Sequence, residues 1–207
     1  QRICQSEQPP SDNGFPVFSW LYYRRFKKHR KVNIALFVIN EASYDRFNVK
    51  KDRIFRLVLN GKLGEQEFLG AYTCSPIGPT MLREFPEVED FVRLVSRGPT
   101  VVEYKDLSFA DDHVIQADSS FFSFFSIQLK KGDPENVLNS PRRAVLSESA
   151  AMRVFGNEDP IDKAIRIGND TASFIISGIM EDVPGNSHFE ASIITSFLTD
   201  PRSQSPI

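Results

Sequence analysis

The amino-acid sequence predicts an α+β domain of mixed and antiparallel sheets with short helices. Three observations predict it. Stretches with strand character outnumber helical ones, the helical stretches are short and scattered among them, and turn signals built on Gly, Pro, Asn and Asp recur along the chain. No internal repeat is visible, and 207 residues give room for one sizeable domain, or for a domain built of two lobes.

Residues 1–16 carry Pro9, Pro10, Ser11, Asp12, Asn13, Gly14 and Pro16, a composition that resists regular structure. An aromatic and basic stretch runs from Phe18 to Lys31, followed by the apolar run Ile34-Ala35-Leu36-Phe37-Val38-Ile39. The folded domain is expected from Arg53. Phe55, Leu57 and Leu59 alternate onto one face of a strand, Asn60-Gly61 opens a turn, and Gln66–Thr73 returns as the second strand of a hairpin. Ser75 ahead of Pro76 reads as the N-cap and first turn of a helix that runs to Phe85 and stops at Pro86. Val88–Val95 reads as a strand. Arg97-Gly98-Pro99 turns the chain into a strand over Thr100–Tyr104, and Lys105-Asp106 turns it back into Leu107–Ala110.

Val114–Leu129 is rich in aromatic residues. Asp118 is placed to cap a short helix carrying Phe121, Phe122, Phe124 and Phe125, with a strand following through Ile127 and Leu129. Asp133-Pro134 starts another brief helix that ends near Asn139-Ser140-Pro141. Arg143–Leu146 is a strand, Ser147 caps a helix over Glu148–Phe155, and Gly156 supplies the residue just past its end. Ala164–Ile167 and Ala172–Met180 form a hairpin around Gly168-Asn169-Asp170, and Ala191–Phe197 is the last strand. Eighteen Phe against one Trp and three Met mean that the core draws its volume from phenyl rings.

The formal net charge of −2 does not favour a nucleic-acid partner. It hides an asymmetry. Arg24, Arg25, Lys27, Lys28, Arg30 and Lys31 place six of the 25 basic side chains in eight residues, and the other 19 face 27 acidic groups. So dense a block belongs to a tail or a membrane flank. Lys and Arg directly ahead of an apolar segment is the arrangement found on the cytoplasmic side of a membrane helix. The apolar run, however, falls far short of the ~20 residues that span a bilayer. A membrane helix is expected at this place, shortened or missing here, and the polar first residues do not read as a signal peptide.

No GxxxxGK[ST] phosphate loop occurs, and Gly61 and Gly64 beside Lys62 read as turn glycines. His29, His113 and His188 lie far apart, and Asp111-Asp112-His113 reads as a solvated loop, since neighbours on a strand point to opposite faces. Ser147-Glu148-Ser149 lacks the GxSxG frame of a nucleophile, and Glu181-Asp182 before Val183-Pro184-Gly185 reads as an exposed turn. Asn169-Asp170-Thr171 is a glycosylation sequon only in a secreted eukaryotic chain. Phe121–Phe125 reads as core, and Cys4 and Cys74 as two unrelated thiols. No catalytic residue, cofactor or metal site is expected, and the chain does not read as an enzyme.

At Glu41-Ala42-Ser43-Tyr44-Asp45-Arg46-Phe47 the sequence is similar to the segment that follows the first membrane helix in FtsX-like ABC permeases, notably those of Bacteroidetes. The similarity continues through Asp52–Arg56, Pro76–Pro79, Glu84–Glu89, Asp118–Phe122, Leu129–Pro134, Val145–Ala150, Phe155–Ile161 and Glu181–His188. In this order, over 36–197, the pieces resemble the MacB-like periplasmic core domain. The family has a full membrane helix ahead of the tyrosine-containing segment and continues past the position of Phe197 to further membrane helices.

The resemblance implies a two-lobed periplasmic core domain over 48–198, with a tail and basic flank over 1–33, a membrane-helix remnant and junction over 34–47, and a tail over 199–207. It implies the periplasmic domain of a bacterial inner-membrane protein, attached through membrane helices absent from this chain. The implied partners are a second permease copy in a dimer and a cytoplasmic ABC ATPase, with a periplasmic adaptor where the role is efflux. The implied work is to transmit ATP-driven motion for export, through the junction Tyr44, Asp45, Arg46 and Phe47. Tyr44 and Phe47 are expected to dock the helix extension while Asp45 and Arg46 pair or cap. Two other roles fit the sequence: a ligand-sensing or solute-binding module, and a lipoprotein-release component.

Overall fold

The computed structural model describes residues 44–71, 73–168 and 173–204. In chain order these form β1 (Leu59–Leu63), β2 (Gln66–Gly70), α1 (Ile77–Glu84), β3 (Leu94–Ser96), β4 (Thr100–Tyr104), β5 (Leu107–Asp111) and β6 (Val114–Ala117). There follow α2 (Phe121–Phe124), β7 (Leu129–Lys131), β8 (Arg143–Ser147), α3 (Glu148–Phe155), β9 (Ala164–Ile167), β10 (Phe174–Met180) and β11 (Ile193–Ser196). β1 and β2 pair only with each other; the other nine strands form one mixed sheet in the order β3-β6-β11-β8-β10-β9-β4-β5, with β7 also on β10.

The middle of that sheet is apolar on both faces, which side-chain alternation makes explicit. Val114, Ile193, Ala144 and Leu146 join one core with α3, through Ala150, Ala151, Val154 and Phe155. Their strand neighbours Ile115, Ile194 and Val145 join a second core on the opposite face, with Phe121, Phe122, Ile127 and Leu138. The result is helix, sheet and aromatic cap in three layers. The pairings are mixed as expected: β11 runs parallel to β6 and antiparallel to β8, and β8 runs parallel to β10.

β10 serves both cores because it skips a residue. Ile176 pairs with Ala144 and Gly178 with Val145, so Ser177 bulges out of register. Phe174 and Ile176 face the first core; the bulge shifts the alternation, sending Ile179 to that core and Met180 to the second. The Ser177 hydroxyl donates to the carbonyl oxygens of Val137 and Ala144, at 2.5 and 3.2 Å. Gly132, at φ +103°, lets β7 close on the bulge: a Cβ there would sit 2.8 Å from the Ser177 carbonyl oxygen.

Several expectations meet the structure closely. Ser147 Oγ accepts the Ala150 N–H at 3.2 Å and caps α3, which ends at Gly156 in the left-handed region (φ +57°). β4 and its turn at Lys105-Asp106 fall where the sequence puts them, and β9 pairs antiparallel with β10, while the expected turn residues Asn169 and Asp170 lie outside the described residues.

Others are corrected. Residues 54–58 belong to no strand, and Phe55 is 80% exposed, because an alternating pattern makes a face only where something covers it. The hairpin turns at Gly64-Glu65, not Asn60-Gly61: Leu63 pairs with Gln66, and Gly64 takes the positive φ (+64°) that a two-residue loop needs at its first position. Ser75 does not cap α1; its carbonyl accepts from Arg93 Nη1 at 3.0 Å. The strand expected over Val88–Val95 shrinks to β3, and Asp118 does not cap α2. Both follow from one buried pair, in which the Asp118 carboxylate accepts from Arg93 Nε, Nη2 and backbone N–H at 2.8, 2.7 and 2.8 Å. The helix expected from Asp133 is a single turn closed by Val137 N–H on the Asp133 carbonyl. Phe197–Thr199 and Pro201–Gln204 are 3-10 turns. The expected tail and basic flank over 1–33 lie outside the described residues, as do 34–43 of the expected helix remnant.

Candidate junction site

The chain enters the described fold through a turn over residues 44–47. Asp45 adopts φ +54°, a left-handed conformation that a short polar side chain tolerates best after glycine. Its backbone N–H donates to the Asn186 carbonyl at 2.9 Å, and its own carbonyl accepts the Asn48 N–H at 3.0 Å. One carboxylate oxygen accepts the His188 N–H at 3.2 Å, and the other lies 2.5 Å from His188 Nδ1. The Tyr44 ring meets the His188 ring edge-on, with centroids 5.1 Å apart.

Beyond the turn, Phe47 packs half-buried on the second core, where Phe121, Phe125 and Phe189 stack with ring centroids 4.9 to 5.7 Å apart. Asn48 is buried, and its side-chain oxygen accepts the Ser126 N–H at 3.0 Å. The Val49 N–H donates to Ser126 Oγ at 2.9 Å, and Lys50 Nζ donates to the Ser123 carbonyl at 2.8 Å. Residues 44–50 thus engage two walls: the 186–188 loop, and α2 with the residues just after it.

Of the four residues singled out in the sequence, three make these contacts. Tyr44 and Phe47 lie against aromatic rings, Asp45 pairs with His188, and Arg46 is exposed. Sequence reasoning passed over Asn48, Ser126 and His188. The Asn186-Ser187-His188 stretch was visible as a motif, but its partner 143 residues away was not.

Other motifs resolve into structural roles. Asp111 is buried rather than part of a solvated loop: it accepts from Ser192 Oγ at 2.6 Å and His113 N–H at 2.9 Å, and Arg153 Nη1 stands 3.3 Å away. These bonds tie the β5–β6 turn to the start of β11. His113 Nε2 lies 2.6 Å from Glu190. Glu181 pairs with Lys130 at 2.7 Å, whereas Asp182 accepts from the Ser149 hydroxyl and N–H at the start of α3. Burial pushes the Asp182 carboxyl up, but the hydrogen bonds from Ser149 and Ser147 outweigh it and the net shift is downward. The two adjacent acids therefore serve different partners. Among the described residues no group of three or more His, Cys, Asp or Glu could hold a metal ion. An open polar cleft of about 280 Å³ is lined by Asp133, Asn136, Asn139, Arg143 and Asp162. Cys74 is an exposed thiol.

No helix among the described residues is long and apolar enough to cross a membrane. Among curated proteins none matches this sequence. Solved structures that share the fold include the following two. A domain assigned to a permease protein from Porphyromonas gingivalis has a TM-score of 0.62 at 22% identity, covering 72% of this chain and 65% of that one. The periplasmic region of MacB from Actinobacillus actinomycetemcomitans has a TM-score of 0.51 at 18% identity, covering 69% and 64%. The chain thus spans slightly less than two thirds of either structure. The model of the MacB-like periplasmic core domain matches residues 33–205, nearly the whole sequence, and the protein belongs to that family of permease periplasmic domains.

Proposed function

We propose that this domain transmits ATP-driven motion for export or efflux across the cell envelope, as the extracytoplasmic part of an ABC transporter permease. A cytoplasmic ATPase moves the membrane helices, two permease copies work as a dimer, and a periplasmic adaptor receives the motion where the role is efflux. Displacement reaches the domain through Tyr44–Asn48. The observation that carries this reading is the two-sided grip on those residues, from the His188 loop and from Ser126, which ties them to both sequence-distant walls of the second core. Such a grip passes a push or a pull into a three-layer body rather than into a loose loop.

In the full transporter with its ATPase, Tyr44→Ala combined with Phe47→Ala is expected to leave ATP hydrolysis running while transport falls at least tenfold. Transport per ATP equal to that of the parent protein would dispose of the reading. A solute-binding role asks for an enclosed pocket with converging polar groups; the described cleft is open, and its Asp133, Asn136 and Asn139 side chains bond one another.

A further inference from the structure

The exposed side chains just past the junction differ in kind from those on the rest of the domain. Val49 and Phe55, 87% and 80% exposed, are the two most exposed large apolar side chains among the described residues. Arg46, Lys50, Lys51, Arg53 and Arg56 interleave with them and are all exposed. Over residues 44–56 five basic groups face two acidic ones, whereas residues 57–207 hold 13 basic against 22 acidic. Positive charge is therefore gathered where the chain enters an otherwise acidic domain.

The first part of the segment, residues 48–53, is held by its own backbone. The Lys51 N–H donates to the Asn48 carbonyl at 3.2 Å and the Arg53 N–H to the Lys50 carbonyl at 2.9 Å, and Asn48 is anchored in the core. Lys50 is engaged by the Ser123 carbonyl and Arg53 pairs with Glu89; Lys51 and Arg56 form no ion pair among the described residues. Neither water nor a protein core suits this mixture, since bare Val and Phe are costly to hydrate and clustered cations are costly to bury. A surface that is anionic outside and apolar beneath suits both.

The geometry points to a peripheral contact with an anionic lipid surface, in which Val49 and Phe55 reach below the headgroups and Lys51 and Arg56 pair with their phosphates. The inference rests on reading residues 44–48 as the membrane-side junction, which sets this segment beside the bilayer. Arg46 belongs to that junction and is left unchanged in the test.

The test uses the 207-residue chain with Arg24, Arg25, Lys27, Lys28, Arg30 and Lys31 replaced by Gln in every sample, so that this block contributes nothing. It is sedimented with vesicles of phosphatidylcholine carrying about one-quarter phosphatidylglycerol, and with phosphatidylcholine alone. Binding is expected to the anionic vesicles only. Lys51→Gln with Arg56→Gln is expected to weaken it about 25-fold, at about fivefold per charge. Phe55→Ser is expected to weaken it several-fold at low and high salt alike. Equal binding to neutral vesicles, no binding to either, or undiminished binding by the charge variant with an unchanged melting curve each overturns the inference. None of these outcomes bears on the Tyr44 and Phe47 coupling measurement, so the two readings fail separately.

Discussion

The nine-stranded sheet and the β1–β2 hairpin contain similar apolar residues, yet they hold them very differently. In β6, β8 and β11 nearly every side chain is buried, since helix α3 covers one face and the phenylalanine cluster the other. Around the hairpin, Phe55, Leu57, Val58, Leu59 and Leu69 are all exposed, and among the described residues neither strand has a partner beyond the other. The sequence pattern is comparable; what differs is whether a second layer exists to meet it. A two-stranded sheet without such a layer is marginal on its own, so the two regions are expected to differ sharply in resistance to opening.

The widest contrast is between two phenylalanines. Phe174 is fully buried in β10, and Phe174→Ala is expected to cost about 3–5 kcal/mol of unfolding free energy. Phe55→Ala in the exposed lobe should stay within about 0.5 kcal/mol. Urea denaturation of the two variants measures the gap, and equal losses would mean that the hairpin side shares the sheet's core.

At the margin of the sheet, Arg93 grips Asp118 just past the end of β6 and donates to the Ser75 carbonyl ahead of α1. Its guanidinium also lies 4.4 Å above the Phe197 ring. Both partners are largely buried, with side-chain exposures of 15% and 11%. Arg93→Ala leaves a carboxylate without its partner and is expected to cost about 3 kcal/mol, whereas Arg93→Ala with Asp118→Asn should recover part of that loss. A double variant as unstable as the single one would show that the arginine acts through its packing alone.

The smallest effect sits at the sheet's surface. Glu158 accepts from Lys163 and Lys105, which hold its carboxyl at about 2 against an ordinary 4.5. A depressed carboxylate adds stability that is complete above pH 4.5 and is lost as the pH falls toward about 2. Because the site is solvated, the contribution is slight. Glu158→Gln should therefore flatten the stability profile across that window and leave the neutral range almost unmoved, as read by melting temperature against pH. An unchanged acid limb would separate this cluster from the fold's stability.

Much of the sheet was legible because its signals are local. Ser147 and Gly156 bracket α3 with caps that act within a few residues, and Lys105-Asp106 fixes its own turn. The α+β class followed from such signals. What remained hidden depended on partners far along the chain. Asp118 looked like a cap because its true partner, Arg93, stands 25 residues earlier, and Asp111 looked solvated because Ser192 and Arg153 close over it. The sequence signals a turn at Asn60-Gly61, and the pairing of Leu59 with Gly70 through Leu63 with Gln66 moves it to Gly64-Glu65. At the junction, Tyr44, Asp45 and Phe47 stood out through family resemblance, whereas Asn48 and His188 became visible only once the fold brought Ser126 and Asp45 beside them.

The bulged serine of β10 carries one last implication. With its hydroxyl hooked onto two carbonyls, Ser177 works as an indexing pin between neighbouring strands. A slip of two residues, the least that keeps each side chain on its own face, would bring Ile175 or Ile179 to that spot, and neither can hook. A strand pinned in this way resists sliding along its neighbour, and its register is held by a side chain as well as by the backbone ladder.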